Sequence, residues 1–414
     1  MGGNLTLISV CIPTIRPEKS KRVRKIVWDE AQYGGIDIEI LDEQDTERIG
    51  APKMLKRLVD KSRGDLVMFL GDDTIPQKGF LGAALDAMQT LPDGWGVVGL
   101  NSQYSQHAAH FLADKRMLPL LGGEFFNTIY KHCWCDQELT DLAKEVGRYV
   151  FAAKAIVQHD HPIFTGMGED ADYLRVYSEE WKKHDKALYV KRKRDRLGDK
   201  LAIGFPLVNE MLRVNFFTSF SCMDKGAYTF LLPEFPHGPW AETLAEARNS
   251  LVQQAQFEGC RKLFMMDTDQ IYPEDTLTKL LAHGKDVCGV RVHRRYPPFD
   301  PILVRKEKGS GKYYRVSDEE MFSGDLVEVD ATGTGALLFN MEIFDSIEEP
   351  WFKVQTDASG HMGEDIYFCE KARIAGFRIF VDTSIEVDHL ATIAINKPMY
   401  QMMQMLMKKE GGEK

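Results

Sequence analysis

The sequence lacks the long apolar segments that a membrane span requires. No hydrophobic run approaches the roughly 20 residues of a transmembrane helix, and the opening MGGNLTLISVCIPT has neither the basic region nor the cleavage site of an export signal. Cysteine is also scarce, with seven residues scattered over 414. An odd number of distant cysteines argues against a disulfide framework. We therefore expect a cytoplasmic protein that is neither exported nor inserted into a membrane.

The sequence also has no excess of positive charge. It contains 52 Lys and Arg against 62 Asp and Glu, a net charge of −10, so the whole chain creates no field that would hold a polyanion. One local exception is the basic run at 182–196, which has eight basic and two acidic residues. Such runs usually form a solvated helix face. Contact with a phosphate-rich partner or an anionic lipid stays open as the alternative.

The remaining composition is that of a globular protein. Hydrophobic residues make up 44% and charged residues 28%, and the length allows two or three domains. Short apolar runs alternate with amphipathic segments, a pattern typical of α/β folds. The first half contains expected strands at 5–12, 36–41 and 66–70 and expected helices at 19–29 and 53–61.

The second half repeats this order, with an expected opening strand at 213–220, a helix at 241–258 and a buried strand at 262–266. We therefore predict two copies of one domain, at 1–200 and 205–395. A Met-rich helix or tail at 396–414 follows, and we expect it to dock on the core. A membrane-surface or partner helix is the alternative.

Acidic side chains follow the buried strand in each half. Asp72 and Asp73 come after the first strand, and Asp267 and Asp269 after the second. Ligands of α/β sheets bind in the crevice at the carboxyl ends of strands. Neighbouring carboxylates repel each other unless a cation compensates, and Mg²⁺ or Mn²⁺ prefers such oxygen donors. The sequence thus predicts a divalent metal site in each half.

An Asp and a His follow each acidic pair at nearly the same spacing. Asp136 precedes His159 by 23 positions and Asp365 precedes His389 by 24. An Asp leading a helix is suited to general-base work, and a His ending a strand can complete a metal shell. His161 points the same way as His159 if the strand persists, so it is a rival ligand.

These residues carry a resemblance to a known family. Ile12-Pro13-Thr14, Asp42, Gly71-Asp72-Asp73, Asp136 and His159 follow the pattern of inverting, family-2-like nucleotide-sugar glycosyltransferases of the GT-A fold. The second half resembles another branch of that superfamily. Its motifs are Glu242-Thr243, Ala247-Arg248-Asn249, Asp267-Thr268-Asp269, Gly333-Thr334-Gly335, Pro350-Trp351-Phe352, Glu364-Asp365 and Asp388-His389. The resemblance implies two tandem GT-A domains, Rossmann-like with a mostly parallel sheet.

The resemblance also implies roles for individual residues. The implied metal ligands are Asp73, His159, Asp269 and His389. The implied catalytic residues are Asp136 and Asp365, with Glu364 beside the latter. The implied donor-binding residues are Pro13, Thr14, Asp42, Asp72, Arg248 and Asp267. The implied cofactors are Mn²⁺ or Mg²⁺ and a nucleotide-sugar donor, most simply a UDP-sugar.

Two departures limit the resemblance. Gly71 stands where a complete carboxylate motif would begin, and the second half shows Phe217-Thr218-Ser219 in place of the Ile-Pro-Thr opening, with no identifiable acid for the nucleobase. The expected activity is inverting hexosyl or pentosyl transfer to a glycan, a glycolipid or a hydroxymethylated DNA base. The alternative is one catalytic domain beside a non-catalytic GT-A-like domain that binds the acceptor or serves as a scaffold. Metal-dependent nucleotidyl transfer has less support, because no Gly-rich basic signature follows the first strand.

Overall fold

The computed structural model describes residues 7–159, 171–208, 212–234, 243–307, 309, 312–357, 360–392 and 395–410. The chain divides into two compact units, 1–192 and 193–414, which we describe separately. Each unit is built on a mixed sheet with helices, so the expected α/β class is confirmed. His161, the rival metal ligand, lies outside the described residues.

The first unit contains a seven-stranded sheet in the order β2-β1-β3-β6-β5-β7-β4. Its strands are β1 Ile8–Thr14, β2 Ile38–Gln44, β3 Leu66–Phe69, β4 Thr74–Pro76, β5 Val97–Asn101, β6 Phe111–Asp114 and β7 Tyr149–His159. The pairs β1/β2, β1/β3 and β5/β7 are parallel, whereas β6 and β4 run antiparallel to their neighbours. The sheet is therefore mixed, not mostly parallel.

Helices cover this sheet and position its loops. They are α1 Pro17–Gly34, α2 Ala51–Lys61, α3 Phe80–Gln89, α4 Cys135–Glu145, α5 Ala171–Val176 and α6 Glu179–Leu197, with 3₁₀ turns at Pro92–Gly94 and Lys115–Leu121. Pro17 opens α1, where a missing N–H costs nothing, and Gly35 ends it at φ 63°, a conformation that favours glycine. Helix α6 contains the division between the two units.

The second unit has a sheet in the order β11-β20-β12-β17-β10-β8-β9, with β15 also paired to β20. Its strands are β8 Leu201–Gly204, β9 Thr229–Leu231, β10 Lys262–Met266, β11 Gln270–Ile271, β12 Val287–Val292, β13 Leu303–Lys306, β14 Tyr313–Arg315, β15 Leu326–Val329, β16 Ala331–Thr332, β17 Ala336–Asn340, β18 Gln355–Asp357, β19 Gly360–Met362 and β20 Ile379–His389. Strands β13, β14 and β16 form a small separate sheet, and β18 pairs with β19.

The helices of the second unit are α7 Val214–Cys222, α8 Leu244–Phe257, α9 Thr276–Ala282, α10 Asp318–Met321, α11 Glu342–Ser346, α12 Glu364–Ile374 and α13 Lys397–Glu410. Helix α8 begins with a capping box, in which Thr243 and Glu246 satisfy each other's backbone N–H groups. No helix in the described part of the chain is both long and apolar enough to cross a membrane.

The two main sheets share one topology. Strands β1 to β7 correspond, in chain order, to β8, β9, β10, β11, β12, β17 and β20. With this replacement the first strand order becomes the second one read in reverse, and each parallel or antiparallel pairing is the same. Even the register shifts match, one between Leu100 and Asn101 and the other between Val290 and Arg291. This correspondence relates positions in one unit to positions in the other.

The expected opening strand of the second half is wrong. Residues 213–220 belong mostly to α7, while the strand that opens the sheet is β8. The buried side chains Phe216, Ser219 and Phe220 follow a spacing of three and four, which places them on one helix face, and Phe217 is 57% exposed. Strand β8 is only four residues long and lies in the stretch that we expected to form the boundary.

The C-terminal helix also differs from expectation. Helix α13 forms over much of the Met-rich segment, but Tyr400, Met402, Met403 and Met405 are exposed. These side chains do not dock on a core in the described residues. The apolar composition of this segment predicts a helix but does not show which surface the helix would pack against.

Candidate functional site

The carboxyl ends of β1 and β3 in the first unit open onto a cavity of about 360 Å³. Six of the residues expected at a site line it, namely Pro13, Thr14, Asp72, Asp73, Asp136 and His159. Other lining residues include Arg16, Asp45, His110, Trp134, Tyr173, Arg175 and Tyr177. The expected acid, base and imidazole of the first half therefore share one cavity.

Asp73 and His159 form the first carboxylate–imidazole pair. Strand β4 pairs with β7 so that Thr74 lies opposite His159, which brings the preceding Asp73 to the end of β7. His159 Nε2 lies 3.2 Å from Asp73 Oδ1, and the Tyr173 hydroxyl donates to Asp73 Oδ2. Burial opposes ionisation of Asp73, but the hydrogen bond and charge of His159 outweigh it and hold the pKa of Asp73 well below its usual range.

Asp72 stabilises the turn between β1 and α1 through hydrogen bonds. Its Oδ2 accepts hydrogen bonds from Thr14 Oγ1 at 2.7 Å and from the backbone N–H groups of Ile15 and Arg16, each at 2.9 Å. Its side chain is nearly buried, and Arg16 Nη1 lies 3.5 Å from Oδ1. Asp72 therefore fixes the Pro13-Thr14 wall of the cavity.

Asp42 lies apart from these residues. It is in register with Ile12 on β2, where it pairs with Arg24 at 3.1 Å and accepts a hydrogen bond from Ser20 at 3.3 Å. Among the described lining residues, the acid contributed by the segment after β2 is Asp45, not Asp42. Asp45 accepts the N–H groups of Ile49 and Gly50, each at 2.8 Å.

Asp136 occupies the first turn of α4, where the helix dipole and free N–H groups favour an acid. Burial nevertheless raises the pKa of this carboxyl, against the opposing charge of His107.

The loop before α4 is held in place by Asp185, a buried residue of α6. Asp185 accepts the backbone N–H groups of Lys131, His132 and Cys133 at 2.8–3.0 Å.

His110 and Asp185 are site residues that the sequence reasoning missed. His110 precedes β6 and is 3% exposed, and it lines the cavity with its ring 5.0 Å from that of His159. A His before a short apolar run carries no motif. Asp185 stands inside the basic run, where its sequence neighbours give no sign of a contact with the loop before α4.

Asp269 and His389 form the second carboxylate–imidazole pair. Strands β11 and β20 place Gln270 opposite His389, which is the same register as in the first unit. His389 Nε2 lies 3.4 Å from Asp269 Oδ1, and Arg295 Nη1 lies 2.6 Å from Asp269 Oδ2. His389 Nδ1 donates to the carbonyl of His293 at 2.6 Å, since a carbonyl can only accept.

The pKa of His389 is raised. Burial opposes the charged imidazolium, but the hydrogen bonds with Asp269 and with the His293 carbonyl outweigh it. When the ring is neutral, its Nε2 lone pair faces Asp269 Oδ1. Two acceptors in that arrangement need a proton or a metal cation between them.

A second group of charges surrounds Asp365 at the start of α12. The Thr334 hydroxyl donates to Asp365 Oδ1, and buried Arg248 donates to the Thr334 carbonyl at 3.3 Å. Arg248 also binds Asp267 at 3.1 Å, and its Nε lies 3.8 Å from Glu364. Burial, reinforced by the Glu364 charge and opposed by Arg248, raises the pKa of Asp365 to about 6.

Gly335 lets the Asp267 side chain pack closely against the backbone. A Cβ at this position would lie 2.7 Å from Asp267 Oδ2, closer than side-chain atoms tolerate. The Gly335 carbonyl also accepts the Asp267 N–H at 2.7 Å. Asp267 thus belongs to the Arg248 group, whereas Asp269, two residues later, belongs to the second pair.

The strand register that the two units share also identifies the segment of the second unit that corresponds to Ile12-Pro13-Thr14. The pairing of β8 with β10 makes Phe205-Pro206-Leu207 the counterpart of Ile12-Pro13-Thr14. The Phe217-Thr218-Ser219 assignment is therefore wrong. The counterpart of Asp42 is Leu232, which is 42% exposed. The described residues of the second unit therefore carry no acid at that position.

Each carboxylate–imidazole pair has the chemistry of a partial metal shell. Two ligand atoms bonded to one octahedral Mg²⁺ or Mn²⁺ at right angles lie about 3 Å apart, close to the observed 3.2 and 3.4 Å. The His389 N–H bond to a carbonyl is the outer contact typical of a ligating histidine. Among the described residues, no cluster of three or more metal-ligating side chains is found.

The basic run takes part in ion pairs within the units. Arg192 binds Glu138 at 2.7 Å, and Arg194 binds Asp345 at 2.7 Å. Asp185 is buried under the loop before α4. Several charges of the run therefore stabilise the fold and are not displayed on a free face.

Neither a protein-family model nor a curated protein sequence matches this chain. Among solved structures, A197 from STIV is 17% identical with a TM-score of 0.32, covering 48% of this chain and 100% of that one. The mannosyltransferase PcManGT from Pyrobaculum calidifontis, in complex with GDP-Man and Mn²⁺, is 15% identical with a TM-score of 0.31 and coverages of 46% and 64%. The glucosyl-3-phosphoglycerate synthase of Mycobacterium tuberculosis, in a complex that includes Mn²⁺ and UDP, is 16% identical with a TM-score of 0.31. The match covers 43% of this chain and 78% of that one.

Proposed function

We propose that the chain is a metal-dependent glycosyltransferase with one active site in each unit. The observation that carries this proposal is a repeated arrangement: a carboxylate–imidazole pair, and an aspartate with a raised pKa in the first turn of the helix that directly precedes the strand ending in that imidazole. The donor is a nucleoside-diphosphate sugar, most simply a UDP-sugar, and the transferred group is a hexose or a pentose.

Asp73 with His159, and Asp269 with His389, hold the divalent cation. Mn²⁺ or Mg²⁺ bound there supplies positive charge to the leaving diphosphate. Pro13 and Thr14 contact the nucleotide from the wall of the first cavity, which Asp72 holds in place. In the second unit, Arg248 orders Asp267 and Glu364 around the reacting groups. Asp42 stays a candidate for nucleobase contact, and Asp45 is the nearer acid of the cavity.

Asp136 and Asp365 act as general bases. Each carboxylate takes the proton of an acceptor hydroxyl as that oxygen forms a bond to the anomeric carbon of the donor. The bond from the anomeric carbon to the phosphate oxygen breaks in the same step, and the nucleoside diphosphate leaves with the electron pair. Attack from the face opposite the leaving group inverts the anomeric configuration.

The acceptor is a glycan, a glycolipid or a hydroxymethylated DNA base. The ion pairs of Arg192 and Arg194 favour the first two, because these charges are already neutralised inside the units. A cytoplasmic location belongs to the same proposal, and all seven cysteines are free. Raising the salt concentration separates the acceptors, since binding to DNA weakens steeply with salt and binding to a neutral glycan does not.

The test is turnover of UDP- and GDP-sugars by the full chain with Mn²⁺, with release of nucleoside diphosphate as the readout. Asp136→Asn and Asp365→Asn should each remove one activity, and the double variant should remove both. Activity that only one substitution abolishes would support the alternative of one catalytic and one acceptor-binding unit. Full turnover by the double variant, or release of pyrophosphate, would contradict the proposal.

A further inference from the structure

His110 is a buried polar side chain of the first cavity that the proposed chemistry does not use. It is 3% exposed, and its Nδ1 accepts the Gly71 backbone N–H at 3.4 Å. Among the residues that the structure describes, Nε2 has no hydrogen-bond partner. A buried polar atom without a partner is rare in folded proteins and calls for an explanation such as a ligand.

The Gly71 contact determines which nitrogen carries the proton. An amide can only donate, so His110 Nδ1 must present its lone pair, and in a neutral ring the proton then lies on Nε2. A protonated Nε2 cannot ligate a metal ion. His110 is therefore a hydrogen-bond donor in this cavity and not a third member of the first carboxylate–imidazole pair.

The ring of His110 lies next to the first carboxylate–imidazole pair. Its ring packs edge to face against His159 at 5.0 Å and tilted against Phe69 at 6.0 Å. Gly71 allows the approach, because a Cβ there would lie 3.3 Å from His110 Cε1 and 2.8 Å from Asp73 Oδ1. An oxygen atom of a bound ligand in this corner of the cavity would satisfy Nε2.

The second unit has no equivalent donor. The pairing of β3 with β6 and of β10 with β17 makes Ala336 the counterpart of His110. A methyl group at that position offers no hydrogen bond. The two sites therefore differ in this contact although their carboxylate–imidazole pairs agree.

We propose that His110 contacts the substrate of the first unit, with Nε2–H donating to an oxygen of the bound nucleotide sugar. The oxygen belongs either to the diphosphate or to a sugar hydroxyl, and both are acceptors of the same kind. This assignment rests on the proposed function. In this proposal His110 helps the first unit to recognise its donor through a contact that the second unit lacks.

The experiment compares His110→Phe with His110→Gln in the full chain. Phe keeps a ring against Phe69 but has no donor, whereas Gln can place an N–H near the position of Nε2. Both are made on an Asp269→Ala background, which removes a metal ligand of the second unit. Calorimetry with Mg²⁺ then measures the affinity for UDP, GDP, UDP-glucose and GDP-mannose.

We expect His110→Phe to weaken binding about tenfold, the usual effect of losing one hydrogen bond to a charged or polar ligand, and Gln to restore most of it. A loss with the nucleoside diphosphates identifies a phosphate oxygen, and a loss confined to the nucleotide sugars identifies a hydroxyl. Unchanged affinity of His110→Phe for every probe that binds the parent chain overturns the assignment alone. If no probe binds the parent chain, the proposed function fails and the assignment fails with it.

A spectroscopic measurement tests the donor independently of binding. In protein labelled with ¹⁵N-histidine, the ring nitrogens of His110, identified by their loss in His110→Gln, should report a neutral ring with the proton on Nε2. A proton on Nδ1 would contradict the hydrogen bond from Gly71 and overturn the assignment even if nucleotide sugars bind.

Discussion

Asp365 combines two features that a general base requires, a position at the head of a helix and a pKa near neutrality. Burial raises the pKa to about 6, Arg248 opposes the shift and Glu364 reinforces it. In the proposed role the carboxylate would be the reactive form, so we expect activity above pH 6 that is lost as the pH falls through that value. Removing the carboxylate should lower turnover roughly 10²- to 10⁴-fold, the range for a lost general base.

We therefore predict that kcat/KM of an Asp136→Asn chain, in which only the second unit retains its base, rises with pH around a midpoint near 6. Glu364→Gln removes a like charge and should move the midpoint to lower pH. The pH dependence of nucleoside diphosphate release measures both. A midpoint that stays in place in Glu364→Gln would argue that another group limits the rate.

Arg295 sets a second residue-scale prediction. Its guanidinium lies 2.6 Å from Asp269 Oδ2, so it would compete with a cation bound to that carboxylate. Because Arg295 is about half exposed, the ion pair is worth at most about 1 kcal/mol. Arg295→Gln should therefore tighten Mn²⁺ binding to the second unit by up to about fivefold.

Electron paramagnetic resonance titration of Mn²⁺ on an Asp73→Ala background measures this change. Arg294→Gln is the matched control, since its guanidinium lies over the ring of Tyr296 at 5.9 Å. Equal Mn²⁺ affinities in the two variants would show that general positive charge, not the contact with Asp269, sets the affinity.

At the scale of elements, α6 positions the loop before α4 through Asp185. One buried carboxylate accepts three backbone N–H groups from residues 131–133, just ahead of Asp136. Asp185→Asn places an amide N–H group against those donors. It should destabilise the first unit by about 2 kcal/mol or more, since hydrogen bonds to a charged group are worth about 1.5–3 kcal/mol each.

Scanning calorimetry measures this effect as a lower melting temperature of the transition that belongs to the first unit. Glu179→Gln on the same helix is the control, because Glu179 belongs to the first unit, its side chain is 91% exposed and its ion pair with Lys182 stays within the helix. A melting temperature equal to that of the control would mean that the loop does not depend on the carboxylate.

The sequence predicted elements well where apolar runs were short and fully buried. The expected strand at 262–266 coincides with β10, and the one at 66–70 contains β3. The prediction of a strand at 213–220 was wrong. Apolar residues in this run occur at both strand and helix spacings, so its secondary structure depends on which side chains can pack against the core. Strand β8 went unnoticed, since four buried residues inside a polar stretch carry too little pattern.

The candidate site divides in the same way. The pairs Asp73–His159 and Asp269–His389 follow from the order of residues at strand ends, because neighbouring strands bring those ends together. The roles of His110, Asp185 and Arg295 depend on contacts between distant segments. No local spacing encodes such contacts.

At the scale of the whole molecule, one sheet topology carries two carboxylate–imidazole pairs whose surroundings differ. Tyr173 contacts Oδ2 of Asp73, whereas Arg295 contacts Oδ2 of Asp269. His110 has Ala336 as its counterpart, and Asp42 has Leu232. If both units transfer sugars, as we propose, we expect these differences to give them different donors or different acceptors, so that they do not perform one reaction twice.

The last prediction concerns the number of metal ions bound by the chain. Each carboxylate–imidazole pair should bind one Mn²⁺ in the presence of nucleoside diphosphate, giving two ions per chain. Asp73→Ala and Asp269→Ala should each leave one, because a single imidazole holds a hard cation poorly, and the double variant should bind none. Metal content after gel filtration measures this. Two ions retained by Asp73→Ala would mean that the first unit holds its metal elsewhere, and the site built on His159 would have to be abandoned.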